Sequence, residues 1–119
     1  MRVLIIEDCP DVAESMRLFL DLLGYDTQVA LDGLAGVRAA TAWCPDAILC
    51  DIGLPGQDGY AVARALRADP RTAGVRLIAI TGHGAEEDPT RAFASGFEHH
   101  FTKPVEVPAL LPLLSAVSN

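Results

Sequence analysis

The chain has 119 residues, half of them hydrophobic and 21% charged, the composition of one folded globular domain; a disordered, collagen-like or coiled-coil chain is excluded. Nine basic against sixteen acidic side chains leave a formal charge of −7, which repels a phosphate backbone and predicts no direct nucleic-acid contact, favouring metal ions or basic protein surfaces. Residues 1–119 are expected to be a single domain, without a second core.

The apolar run Val3-Leu4-Ile5-Ile6 is too short for a signal peptide and meets acids at once, and no run reaches bilayer-spanning length. Cys9, Cys44 and Cys50 leave an odd thiol and show no C-x-x-C spacing, and His99 adds no ligand spacing to them, so a transition-metal site is not expected. The expected setting is a reducing cytoplasm, away from the membrane.

In chain order, Val3 to Ile6 reads as a strand buried on both faces. Val12, Ala13, Met16, Phe19, Leu20 and Leu23 then recur at helical spacing opposite Asp11, Glu14, Arg17 and Asp21, with Gly24 as the stop. Thr27 to Ala30 is mixed in polarity, as an edge strand would be. Leu34, Val37 and Ala40 to Ala42 mark a second helix ending before Pro45. Ala47 to Cys50 is another buried strand, followed by a helix through Tyr60, Val62, Ala63, Leu66 and Arg67 that ends near Asp69-Pro70. Leu77 to Ile80 is the third buried strand. A short helix is predicted with Asp88 as cap and Pro89 in its first turn, stopping at Gly96. His99 to Thr102 is the second edge strand. The last segment, Val105 to Val117, carries Pro108 and Pro112, so its helix must start late or be kinked.

Five strand and helix alternations, three strands central and two at the edges, predict a doubly wound α/β fold. The strand order is 2-1-3-4-5, the flavodoxin-like (βα)5 arrangement. Such sheets bind ligands at the carboxyl ends of their strands, where the order reverses. Those ends carry Glu7-Asp8, Asp51, Thr81 and Lys103-Pro104. Any one of them alone reads as a helix cap or solvated turn; all four together read as a site.

Three carboxylates at one rim repel each other unless a cation lies among them, and hard oxygen ligands suit Mg2+. Asp8 and Asp51 are the expected direct ligands, with a backbone carbonyl just beyond Asp51 as a third and Glu7 acting through water. Lys103 as a point charge and Thr81 as a hydroxyl donor complete a pocket for a dianionic phosphoryl group. Asp51 is the candidate nucleophile, since metal and lysine would neutralise the oxygens of the transferring group.

Four motifs carry a family resemblance over the whole chain: Val3-Leu4-Ile5-Ile6-Glu7-Asp8, the run from Asp51-Ile52-Gly53-Leu54-Pro55 to Gln57-Asp58-Gly59-Tyr60, Ile80-Thr81-Gly82 and Thr102-Lys103-Pro104. The chain resembles a bacterial two-component response-regulator receiver domain, of chemotaxis type or from a hybrid histidine kinase. The resemblance implies that Asp51 accepts a phosphoryl group from a histidine kinase or histidine phosphotransfer protein. Glu7, Asp8, Asp51 and the Gly53 carbonyl would hold Mg2+, and Thr81 and Lys103 would contact the phosphoryl oxygens. The Lys103-Pro104 bond is expected to be cis. Asp58-Gly59 resembles the turn opening the third helix, and Pro55 fixes the loop after the acceptor.

Signalling in the family couples inward movement of the threonine to an aromatic side chain on the fifth strand. Here that position is His100, read either as a switch made pH-sensitive by its charge or as an exposed edge residue. Gly53 offers no side chain to shield the aspartyl phosphate, while His83 could shield it, orient a water or be a plain loop residue. Cys9, at a helix start, is either somewhat acidified or a spectator, and Cys50 should be buried and inert.

A flavodoxin-type binding module would need a hydroxyl- and glycine-rich loop where this chain has Glu7-Asp8-Cys9-Pro10-Asp11. A small aspartate-nucleophile phosphatase would want a second acid at Gly53. A non-phosphorylating pseudo-receiver is opposed by the complete acid, threonine and lysine set. The resemblance implies catalysis only of the domain's own phosphorylation and dephosphorylation, with the donor docking on the rim around Asp51, Val12 and Ser15. Output is expected through contact with a downstream effector protein. With the usual dimer surface built from a short and a proline-interrupted helix, a monomer or weak dimer is expected.

Overall fold

A computed structural model describes residues 1–54, 58–81, 89–102, 108–109, 111–112 and 114. Among the described residues up to Thr102, five strands alternate with four helices: β1 (Arg2–Ile6), α1 (Pro10–Leu22), β2 (Asp26–Ala30), α2 (Gly33–Trp43), β3 (Ala47–Asp51), α3 (Gly59–Ala68), β4 (Arg76–Thr81), α4 (Pro89–Ser95) and β5 (His99–Thr102). The strands form one sheet in the order β2-β1-β3-β4-β5, every neighbouring pair parallel. The doubly wound arrangement expected from the alternating pattern is the one observed.

Period-two alternation sorts the central strands into two cores. Leu4, Ile6, Ile48, Cys50, Leu77 and Ala79 point to the side covered by α2, α3 and α4, where they meet Ala40, Tyr60, Val62, Ala63, Leu66 and Ala92. Val3, Ile5, Ala47, Leu49, Ile78 and Ile80 point to the other, packing on Ala13, Met16 and Leu20 of α1 and on Leu114. A strand buried on both faces has no polar position to spare, which is why these three read as unbroken apolar runs.

Helix ends follow local chemistry. Asp32 caps α2 by accepting the Ala35 N–H at 2.7 Å, and Asp58 caps α3 by accepting the Ala61 N–H at 2.8 Å. Each such cap is worth about 1 kcal/mol. Pro10 opens α1 and Pro89 opens α4, where a missing N–H costs nothing. The proposed Asp88 cap lies outside the described residues. In the last segment Pro108, Ala109, Leu111, Pro112 and Leu114 are helical, and Leu114 is fully buried; the stretch where a late start or kink would lie is outside the described residues. Among the described residues no helix is long and apolar enough to cross a membrane.

Candidate phosphoryl and metal site

The chain brings Glu7 and Asp51 to one rim because β1 and β3 are neighbours in register, Ile6 opposite Cys50. Both acids follow a fully buried residue and are themselves buried, at 3% and 6% exposure. Asp8 completes the group from an exposed position, and carboxylate oxygens of Glu7, Asp8 and Asp51 all lie within 4.8 Å of one another. Asp51 is the last residue of β3 and Thr81 the last of β4, one residue further into the sheet than the pattern of apolar residues had placed the strand ends.

Backbone amides fix the buried acids. The Gly53 N–H donates to Asp51 Oδ1 at 3.0 Å, and the Cys9 N–H reaches Glu7 Oε2 at 3.5 Å. The Glu7 N–H itself donates to the Ala30 carbonyl at 3.0 Å, extending the ladder between β1 and β2 by one rung. Like charges held this close favour a cation among them, and three convergent oxygen ligands suit Mg2+, with water filling the rest of its octahedron. The residues present therefore fit that ion.

Sequence reasoning missed Gly59. The first residue of α3 lies directly on the acceptor strand end, and a Cβ there would come within 2.6 Å of the Ile52 Cα and 2.7 Å of the Asp51 carbonyl oxygen. No side chain fits that gap, so α3 rests on Asp51 without slack. The Asp58-Gly59 pair just past the acceptor is the available signal, and by its residue types it reads only as a turn.

The β4 and β5 side is different. Thr81 is 3% exposed. Its Oγ1 and His100 Nε2 are both buried without a hydrogen-bond partner among the described residues. Phe101 packs into the α1-side core, so His100 and Thr102 face the α4 side, and the pairs Ala79 with His100 and Thr81 with Thr102 put His100 diagonally beside Thr81. An exposed edge histidine is thus not what the fold contains: His100 is partly buried, with its Nε2 turned inward.

Lys103, Pro104 and His83 lie outside the described residues. Gly53 is exposed, and a Cβ added there would meet only Asp51 Oδ1, at 3.8 Å, so its position beside the acceptor is open as expected. Val12 and Ser15 are exposed on α1. Cys50 is buried, and desolvation with the neighbouring Asp51 charge pushes its thiol far above the ordinary range, which keeps it inert. Cys9 is exposed and makes no side-chain cap.

Comparison with known proteins agrees with this geometry. The family model of the response regulator receiver domain matches residues 3–115. The DNA-binding dual master transcriptional regulator RpaA of Synechocystis is 37% identical over 116 residues, covering 98% of this chain and 48% of RpaA. Protein PilH of Pseudomonas aeruginosa is 32% identical, covering 98% of this chain and 96% of PilH. This chain thus spans about half the length of RpaA and nearly all of PilH. RpaA is named as DNA-binding, so the exclusion of nucleic acid drawn from net charge does not extend to such longer relatives.

Among solved structures, the receiver domain of a signal transduction histidine kinase from Syntrophus aciditrophicus superposes with a TM-score of 0.87 at 30% identity, covering 98% of this chain and 88% of that one. The receiver domain of a sensor histidine kinase from P. aeruginosa gives 0.88 at 30% identity, covering 99% and 98%, and was solved with magnesium coordinated in its active-site cleft. With five strands in the expected order and the acids gathered at the expected rim, the chain belongs to the response-regulator receiver domains of two-component signalling.

Proposed function

We propose that Asp51 is the phosphoacceptor, receiving a phosphoryl group from a phosphohistidine on a histidine kinase or histidine phosphotransfer protein. The observation that carries this reading is the convergence of the Glu7, Asp8 and Asp51 carboxylates, two of them buried, at the reversal point of the sheet. The Gly53 N–H holds Oδ1 and so orients the Asp51 carboxylate. A carboxylate oxygen attacks phosphorus, the P–N bond breaks, and its electron pair stays on the imidazole, which takes up a proton.

Mg2+ would be held by Asp8, Asp51 and the Gly53 carbonyl with Glu7 behind a water, and when bound it supplies charge neutralisation to the transferring phosphoryl group. Thr81 and Lys103 complete the reading as contacts to the phosphoryl oxygens. Thr81 Oγ1, a buried hydroxyl without a partner among the described residues, is a donor in want of an acceptor. His100, beside it, is the residue that would respond when Thr81 takes up a phosphoryl oxygen.

In this reading the domain catalyses only its own phosphorylation and the hydrolysis of its own acyl phosphate, with Gly53 leaving the phosphorus open to water. The donor docks over the rim and the exposed Val12 and Ser15, and the changed surface is read by a protein effector. The domain works as a monomer or weak dimer. Incubation with Mg2+ and acetyl phosphate tests the assignment. One phosphoryl group should appear by mass spectrometry in the wild type, and none in Asp51→Ala or without divalent metal; uptake that survives Asp51→Ala removes the acceptor role.

A further inference from the structure

β4 (Arg76–Thr81) and β5 (His99–Thr102) carry a hydroxyl and an imidazole side by side on the α4 face of the sheet. Thr81 pairs with Thr102 and Ala79 with His100, so Thr81 and His100 are diagonal neighbours, a separation that a ring can span. Thr81 is 3% exposed, and its Oγ1 and His100 Nε2 are both buried and unbonded among the described residues. A hydroxyl has one hydrogen to give and two lone pairs to accept with, while an imidazole nitrogen gives or accepts according to whether it carries a proton. The two groups can therefore bond in series. A hydrogen on Nε2 enters a lone pair of Oγ1, and the Oγ1 hydrogen stays free for a third atom. A phenyl ring in the same place would fill the space and donate nothing.

The charged groups on the elements packed around His100 already have partners. Glu98, just ahead of β5, pairs with Arg67 of α3 at 3.4 Å and with Arg76 of β4 at 3.0 Å. Arg67 also donates from Nε to the Gly96 carbonyl at 3.1 Å. Arg91 of α4 lies over the Tyr60 ring, 4.1 Å from its centre, with Nη2 3.9 Å from Asp58 Oδ2. His99 takes the other face of the strand, with Phe101, and Lys103 lies outside the described residues. Asp51 stands on the strand next to β4, paired with Ile80. A dianionic phosphoryl group placed there is a large change of charge beside Thr81, and it favours a positive ring at His100.

We propose that His100 is a positioning residue for phosphoryl transfer: its Nε2–H donates to Thr81 Oγ1 and so aims the threonine hydroxyl hydrogen at a phosphoryl oxygen on Asp51. The proposal rests on Asp51 as the acceptor and on Thr81 as a contact to the phosphoryl group. A neutral ring with its hydrogen on Nε2 makes this bond, and the imidazolium makes it more strongly because its charge is drawn through the hydroxyl toward the dianion. The charged form, and with it the stronger bond, is present at low pH and is lost as pH rises through the ordinary histidine range. His100 touches no reacting atom, and no proton is transferred along the two bonds.

The test compares the full chain with His100→Phe and His100→Gln, each given Mg2+ and acetyl phosphate. His100→Phe keeps a ring without a donor, and His100→Gln keeps an N–H donor without a titrating charge. At about pH 6, His100→Phe should take up the phosphoryl group about three- to tenfold more slowly than the wild type, and the gap should narrow by about pH 8. His100→Gln should recover part of the loss, by a factor that does not vary with pH. A ratio of wild-type to His100→Phe rates that is flat across this range overturns the proposal, as does His100→Gln no faster than His100→Phe. A second measurement needs no variant: in the phosphorylated wild type, a proton–nitrogen NMR correlation should show a hydrogen on His100 Nε2, and a bare Nε2 there overturns the relay. Absence of any adduct in the wild type by mass spectrometry removes the acceptor assignment and the relay with it, whereas adduct formed equally fast in wild type and His100→Phe at both pH values removes the relay alone.

Discussion

The two halves of the strand-end rim differ in how their buried polar atoms are satisfied. At the ends of β1 and β3, Glu7 and Asp51 accept backbone N–H groups from Cys9 and Gly53. At the end of β4 and within β5, Thr81 Oγ1 and His100 Nε2 are buried without partners among the described residues. A buried polar group left unbonded costs about 1–3 kcal/mol. The first half is built to hold charge in one geometry. The second offers a hydroxyl and a ring nitrogen unbonded among the described residues, and that is where a new acceptor at Asp51 would have most effect.

Gly59 allows the largest test of that contrast, because the fixed half depends on close backbone approach. Gly59→Ala forces a methyl against the Ile52 Cα and the Asp51 carbonyl and should lower stability by about 1–3 kcal/mol in urea unfolding. An unchanged midpoint would mean that α3 yields easily and the rim is not fixed at Asp51.

Thr81→Val works in the opposite direction. Removing a hydroxyl unbonded among the described residues while keeping the shape should stabilise the resting protein by about 1 kcal/mol, yet leave His100 resonances insensitive to phosphorylation. A loss of stability would show that the hydroxyl already has a partner at rest, and the contrast between the halves would fall.

The smallest effect is expected at Asp58. Asp58→Asn keeps an oxygen for the Ala61 N–H and should change stability by less than about 0.5 kcal/mol, whereas Asp58→Ala should cost about 1 kcal/mol. Equal losses in the two variants would mean that the charge of Asp58, and not its cap, carries its contribution.

Much of this was legible in the sequence, for identifiable reasons. β1, β3 and β4 are buried on both faces, so their apolar runs leave little choice of fold, and Glu7, Asp51 and Thr81 stand out because each directly follows such a run. The strands run one residue further than their apolar runs, through Asp51 and Thr81, because a polar residue closes an apolar run without ending the ladder. Arg91 over Tyr60 and Arg67 under Gly96 left no signal. Each contact joins residues about thirty positions apart, and it exists only because α3 and α4 pack side by side. The inward turn of His100 was likewise undecided in a strand whose residues are all half-buried, since it depends on which side of the sheet Phe101 takes.

The central claim is that one particular carboxylate becomes the acyl phosphate. It is tested most directly by treating the protein with Mg2+ and acetyl phosphate, reducing the acyl phosphate with borohydride and mapping the product by peptide mass spectrometry. Homoserine at position 51 is the predicted result. Homoserine at Asp8 or another acid, or an unmodified chain, would contradict it.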